Sequence, residues 1–200
     1  MKLQARKRAY SKERLSKINV DVSVRPGTVA VKTGYPSKPK WGLSDRSGTV
    51  DYVIILPWHC DVERVDLGNG EVLIDGMRGN EVHAELGSGR MFGRNCFSQG
   101  IKLSIGNGGV EVLYDWWERV PMLIETTIAG GSSHVLVRGG AQFRLHAETA
   151  NGHIFSDFAY REKSEEGGQA KADVVVGESP NAEMQIHALD GSINIKELHP

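Results

Sequence analysis

Cysteine is almost missing from this chain: of 200 residues, only Cys60 and Cys96 carry thiols. Two cysteines without metal-ligand spacing exclude a disulfide framework or a zinc cluster, and they predict two free thiols. Net charge is nearly absent too, at −1, so the overall balance calls for neither nucleic acid nor an anionic membrane surface. No apolar run approaches the ~18 residues of a membrane-spanning helix. The basic N-terminal residues are not followed by the apolar core of a signal peptide. Aromatic residues are scarce at 7%, which together with abundant glycine favours a turn-rich β protein over a helical one.

Glycine, by contrast, is plentiful, with 24 residues, and it is placed with a period. Taking Gly70, Gly89, Gly108, Gly131, Gly152 and Gly191 as anchors gives spacings of 19, 19, 23, 21 and 39, the last close to two periods. The residues just before them include Asn69, Ser88, Asn107, Asn151 and Asp190, which favour turns. Three and five positions before the anchors the columns are mostly apolar, as in Leu67, Leu86 and Ile105 or Val65, Ala84 and Leu103. The columns between them are polar: Asp66, Glu85, Ser104, Thr127, Glu148 and His187 form one of them. Alternation of period two, repeated six times, predicts strands with one face inward. Two positions before the anchors stand Gly68, Gly87, Gly106, Ala129, Ala150 and Leu189, a column of mostly small residues that suits successive chain corners stacked on one another.

A repeat of about twenty residues with strand, glycine corner and strand predicts an all-β fold of the single-stranded β-solenoid type, with Gly70, Gly89, Gly108, Gly152 and Gly191 as structural corners. An antiparallel sandwich or roll is the alternative. The "GNG" triplets are not phosphate loops. A dinucleotide fingerprint needs a third glycine and a following helix, whereas those positions hold Leu73, Phe92 and Glu111 in strand-like sequence.

Residues 1–200 read as one domain: 1–48 supply N-terminal strands and a cap, and 49–200 the repeated coils. Within the first part, "YSKERLSKI" predicts a short helix opened by Ser11, and "INVDVSV" and "GTVAVKT" predict two strands joined by Arg25 to Gly27. The stretch "GYPSKPKWGLSDRSG" reads as a loop. The cluster Lys2, Arg6, Lys7, Arg8, Lys12, Arg14 and Lys17 lacks interleaved aromatics and reads as a solvated face. Between the last two anchors, "REKSEEGGQAKAD" reads as a charged solvated loop. In the last coil, Lys196, Glu197 and Pro200 are expected to protect the end of the stack from edge growth.

The segment "GTVDYVIILPWHCDVERVDLGNGEVLIDGMRGNEVHAELGSGRM" and the closing "VVVGESPNAEMQIHALDGSINIKEL" together resemble the bacterial putative adhesin family, β-solenoid domains of unknown function. The likeness runs from about Asn19 onward. It implies a cell-envelope role with no catalytic residues to carry over, although family members often follow a signal or anchor that this sequence does not show. Localisation follows as the cell envelope by resemblance, or the cytoplasm if Met1 is the native start.

The polar columns carry the candidate chemistry. Asp66 and Glu85 fall on adjacent coils of one outward column, as a pair of glycosidase carboxylates would, but no groove is evident around them. His83 with Glu85 and His146 with Glu148 each pair on one strand face, too far apart to share a metal. No nucleophile elbow is present. The most unusual local feature is "LYDWWERVP", where Tyr114, Trp116 and Trp117 offer a platform for a ligand or partner rimmed by Asp115, Glu118 and Arg119; alternation turns the two indoles opposite ways. The chain therefore reads as a non-enzymatic binding or assembly module with no cofactor and no metal. Its expected partner is a protein or glycan surface, without nucleic acid or membrane insertion, and self-association through the solenoid ends is open to it. The alternatives are a carbohydrate-active solenoid enzyme and a scaffold that polymerises end to end.

Overall fold

The computed structural model describes residues 1–36 and 48–199, and it is an all-β protein with one short helix among those residues. Most of the stretch 34–48, expected as a loop, and Pro200 lie outside the described residues. The chain divides into two compact units, Met1–Pro57 and Trp58–Pro200.

The first unit holds β1 (Lys2–Arg8), α1 (Lys12–Ser16), β2 (Asn19–Arg25), β3 (Thr28–Gly34) and β4 (Thr49–Ile55). Ser11 caps α1 by accepting a hydrogen bond from the Arg14 amide at 3.1 Å, the arrangement that satisfies an otherwise orphaned helix donor. Alternating valines build the β2–β3 hairpin, in which Val22 faces Val31 and Val24 faces Val29. The β4 strand does not open the parallel stack. It pairs antiparallel with β1, from Lys2 opposite Ile55 to Arg8 opposite Thr49. The basic cluster is partly engaged: the Lys7 ammonium donates to the Ile18 carbonyl at 3.0 Å, and Arg8 pairs with Asp51 at 3.1 Å. Among the described residues of this unit, Ile18 is fully buried.

The second unit is one large mixed sheet. Its strands are β5 (Val62–Asp75), β6 (Glu81–Arg94), β7 (Gly100–Tyr114), β8 (Met122–Arg138), β9 (Phe143–Asn151), β10 (Ile154–Ser156), β11 (Tyr160–Glu166), β12 (Gln169–Val176) and β13 (Ala182–Leu198). The first four pair in parallel and in chain order. Each passes through its glycine corner in register with its neighbour, so Gly70, Gly89, Gly108 and Gly131 stack directly. At Gly108 the reason for glycine is twofold. Its φ is +133°, and a Cβ there would overlap the Gly89 carbonyl oxygen, so the corner demands both left-handed freedom and close backbone approach.

Beyond β8 the chain order breaks. The strand that pairs with β8 is β13, and β9 pairs with the other edge of β13. Gly191 therefore sits on Gly131, and Gly152 sits on Gly191. The sheet then turns antiparallel, with β12 on β9 and β11 on β12. A single strand winding in chain order is thus not what the sheet shows. The segment "REKSEEGGQAKAD" is likewise not a loop but the β11–β12 hairpin. Ala170, Ala172 and Val174 alternate into the core, and Gly167 and Gly168, at φ +59° and +91°, form a two-residue turn whose positive φ at both positions matches the strand twist.

The core of this unit is the sum of the inward columns, with Leu86, Leu103, Ile105, Ile124, Ile128, Leu145, Met184 and Ile186 among its members. Polar residues interrupt it: Thr126 and Ser133 on β8, and Ser98 in the connection before β7, are buried with hydroxyls that meet no protein partner among the described residues. No helix among those residues is long and apolar enough to cross a membrane.

Candidate binding surfaces

The outward columns on the N-terminal side of the glycine corners line an open groove of about 820 Å³. It crosses six strands, so at about 4.8 Å per strand its length is about 24 Å. The floor is the column of small residues, Gly68, Gly87, Gly106, Ala129 and Ala150, interrupted on β13 by the exposed Leu189, which stands between Ala129 and Ala150. Their lack of side-chain bulk is what opens the trench, since the same positions filled with large residues would close it. One wall is the polar column, which runs in space as Asp66, Glu85, Ser104, Thr127, His187 and Glu148 because β13 lies between β8 and β9. The sequence columns contained every one of these residues, yet adjacency of His187 to both Thr127 and Glu148 came only from the pairing of β13.

Asp66 and Glu85 do stand opposite each other on adjacent strands. Both are engaged by one cation: Arg64 lies 3.0 Å from Asp66 and 3.8 Å from Glu85, and His83 lies 3.2 Å from Glu85. At the far end, Lys171 pairs with Glu148 at 2.7 Å and holds its carboxyl below the usual carboxylate range. His146 meets Asp173 at 2.6 Å, and its ring centroid lies 6.3 Å from that of His187. His83 and His146 remain on β6 and β9, with three strands between them, and no group of His, Cys, Asp or Glu among the described residues could hold a metal ion.

The aromatic segment after β7 makes a second surface. Tyr114 is 1% exposed and donates its hydroxyl proton to the Cys96 carbonyl at 2.6 Å, so it has no face to offer. Burial pushes both its phenol and the Cys96 thiol up. Trp117 is half-buried against the core, 5.3 Å from Tyr114 and 6.0 Å from Phe143 between ring centroids. Trp116 turns outward and is 45% exposed. The two indoles therefore do point apart, and of the three residues of the platform only Trp116 presents a large surface. The chain is held there by Asn95, a buried residue at φ +49° whose side chain accepts from the Asp115 amide and donates to the Asp115 carboxylate. Arg94 pairs with that carboxylate at 2.6 Å and keeps it below its ordinary range.

Two residues that the sequence reading passed over complete this surface. Trp58 is 60% exposed, and the Arg78 guanidinium lies over its ring at 5.9 Å from the centroid. Arg78 also forms an ion pair with Glu118, which in turn accepts from the Trp116 indole nitrogen at 3.4 Å. Pairing holds the Glu118 carboxyl below its usual range and raises Arg78. No signal of period two or of glycine spacing marks Trp58 or Arg78, because both lie in connections outside the alternating columns.

No protein family and no curated protein matches this chain. Among solved structures, it is similar to the crystal structure of a "putative cell adhesion protein" from Clostridium sporogenes, at 15% identity over 98% of this chain and 82% of that one, with a TM-score of 0.48.

Proposed function

We propose that this protein is a non-catalytic binding module of the cell envelope, of the adhesin type that its sequence resembles, and that its strands wind as a β-solenoid with one out-of-order coil. The observation that supports this reading is the trench. Its small-residue floor runs across the strands, and its wall offers one polar side chain per strand at a regular spacing of about 4.8 Å. A regular row of carboxylate, hydroxyl and imidazole groups suits a regular extended ligand, and a glycan strand of the envelope, with a row of hydroxyls along its length, is the occupant we assign.

The test is to fill the trench. Gly68 has open space where a Cβ would be, and Ala129 is exposed, so Gly68→Trp and Ala129→Trp can be introduced without overlapping the backbone. Wild-type protein should bind one member of a panel of linear polysaccharides saturably by calorimetry, and the two variants should lose that binding while melting at the wild-type temperature. Undiminished binding by both variants would remove the trench from the account.

One observation favours a second reading, a carbohydrate-active enzyme: Asp66 and Glu85 are neighbours at the trench wall. Glycoside hydrolysis needs one carboxyl kept protonated while its partner is ionised. Arg64 contacts both acids, and Lys171 holds the Glu148 carboxyl below its usual range. Release of reducing ends from the bound polysaccharide, lost in Glu85→Gln, would establish the enzyme reading instead.

A further inference from the structure

We propose that Trp58, Trp116 and the Arg78–Glu118 pair between them form a second binding site, separate from the trench, for an uncharged pyranose residue of a glycan. The residues form one connected set. Arg78 lies against the Trp58 ring, Glu118 receives both Arg78 and the Trp116 indole N–H, and the Phe97 ring stands 6.3 Å from Trp116 at an interplanar angle of 32°. Arg78 is itself packed on Phe97, 5.3 Å from its centroid, and its backbone amide donates to the Trp58 carbonyl at 2.6 Å. The Trp116 indole thus rests near the buried Phe97 and the Trp58 indole against the half-buried Arg78, while large parts of both remain in solvent.

Tryptophan left so exposed is uncommon, and a rigid indole offers much contact area for little loss of conformational freedom. The chemistry between the two rings selects the ligand. A pyranose presents a C–H face that suits an indole and a rim of hydroxyls that both donate and accept. Arg78 supplies donors beyond those used by Glu118, and Glu118 supplies acceptor lone pairs. Charge also discriminates. Arg78 is matched by Glu118 and Arg94 by Asp115, and Arg138 donates to the Asp115 carbonyl at 3.4 Å, which leaves the exposed Arg119 beside these pairs. A site for phosphate, sulfate or nucleic acid would need several unmatched cations.

The experiment uses the full chain with cellohexaose, xylohexaose, mannohexaose and N-acetylchitohexaose as probes, followed by tryptophan fluorescence and calorimetry. At least one probe is expected to bind saturably with a change in indole emission. With the trench filled in the Ala129→Trp background that binding should persist, and adding Trp58→Ala or Trp116→Ala should weaken it at least about tenfold, the size expected for an aromatic anchor. Because both indoles are exposed, each variant should keep the wild-type melting profile; if one fails to fold, the other carries the test. No saturable binding by any of the four probes would overturn the proposal. So would affinity that survives both tryptophan variants, or binding confined to sulfated or phosphorylated glycans. Loss of binding in Ala129→Trp alone would assign the sugar to the trench and leave this site without a ligand.

Discussion

The two halves of the large sheet are built from one local grammar and assembled by two different rules. From β5 to β8 each strand pairs with the next in the chain, through connections of five to seven residues. From β13 to β11 the order is scrambled and the last two pairings are antiparallel. Yet Gly191 and Gly152 stack as closely as Gly108 and Gly131. The repeat therefore determines the shape of a coil and the place of its corner, while the choice of neighbour is made by long-range pairing. The halves also end differently. Beyond β5 no strand of the sheet follows among the described residues, whereas β11 ends the other side with Arg161, Glu162, Lys163, Glu165 and Glu166 exposed, a charged edge of the kind that resists pairing with another chain.

The sharpest way to break this comparison is to remove β13. Deleting residues 182–199 takes away the partner of both β8 and β9, so cooperative unfolding should be lost, and a synthetic peptide of those residues should restore it when added in trans; circular dichroism with denaturant checks both. Next in size, Gly108→Val and Gly191→Val probe one corner from each half. Each would combine a positive φ with overlap on a backbone carbonyl, and each should cost at least about 4 kcal/mol. Gly68→Ala, in open space, should stay within about 0.5 kcal/mol. Equal losses at Gly108 and Gly191, measured by urea unfolding, would show that corner energetics ignore chain order. A smaller effect is expected at the charged edge. Replacing Arg161, Lys163 and Glu165 with valine should produce concentration-dependent association in sedimentation velocity, and a variant that stays monomeric would show that these charges do not guard the edge.

The smallest effect concerns pH. Glu118, Asp115 and Glu148 are held below the usual carboxylate range by Arg78, Arg94 and Lys171 respectively. A depressed folded-state pKa means that their stabilisation is complete above the unfolded-state values of roughly 4 and is lost as pH falls through the folded values. Thermal stability should therefore decline on acidification below roughly pH 4, and Glu118→Gln should flatten part of that decline. All three acids sit near the surface, so each shift is a modest contribution.

Much of the architecture was legible because glycine and alternation are local signals. The inward columns, the corners and the Ser11 cap all follow from residue type and spacing. The order of coils was not legible, since the 39-residue interval from Gly152 to Gly191 fits a skipped coil as well as an intercalated strand. The β11–β12 hairpin was hidden by composition: Lys, Glu and Gly dominate its sequence, and the alternation of Ala170, Ala172 and Val174 is carried by small residues that barely register as apolar. For the sites, the polar column was visible, but the trench beside it depends on what the small column leaves unfilled. The platform was half visible. The paired tryptophans announced themselves, while Trp58 and Arg78 lie 58 and 38 positions before Trp116 and meet it through Glu118 and Phe97.

The insertion of β13 between β8 and β9 has a consequence for how the chain must be made. A stack grown strictly from the first coil to the last could consolidate while its later parts were still emerging from the ribosome. Here β9, β12 and β11 are synthesised before the strand that joins them to β8, so they must wait as a separate hairpin layer beside an unfilled slot. The rate of folding should then be governed by the closing of that slot, a late event that pairs residues 39 and 60 positions apart, and the same slot is where one nascent copy is exposed to strand exchange with another.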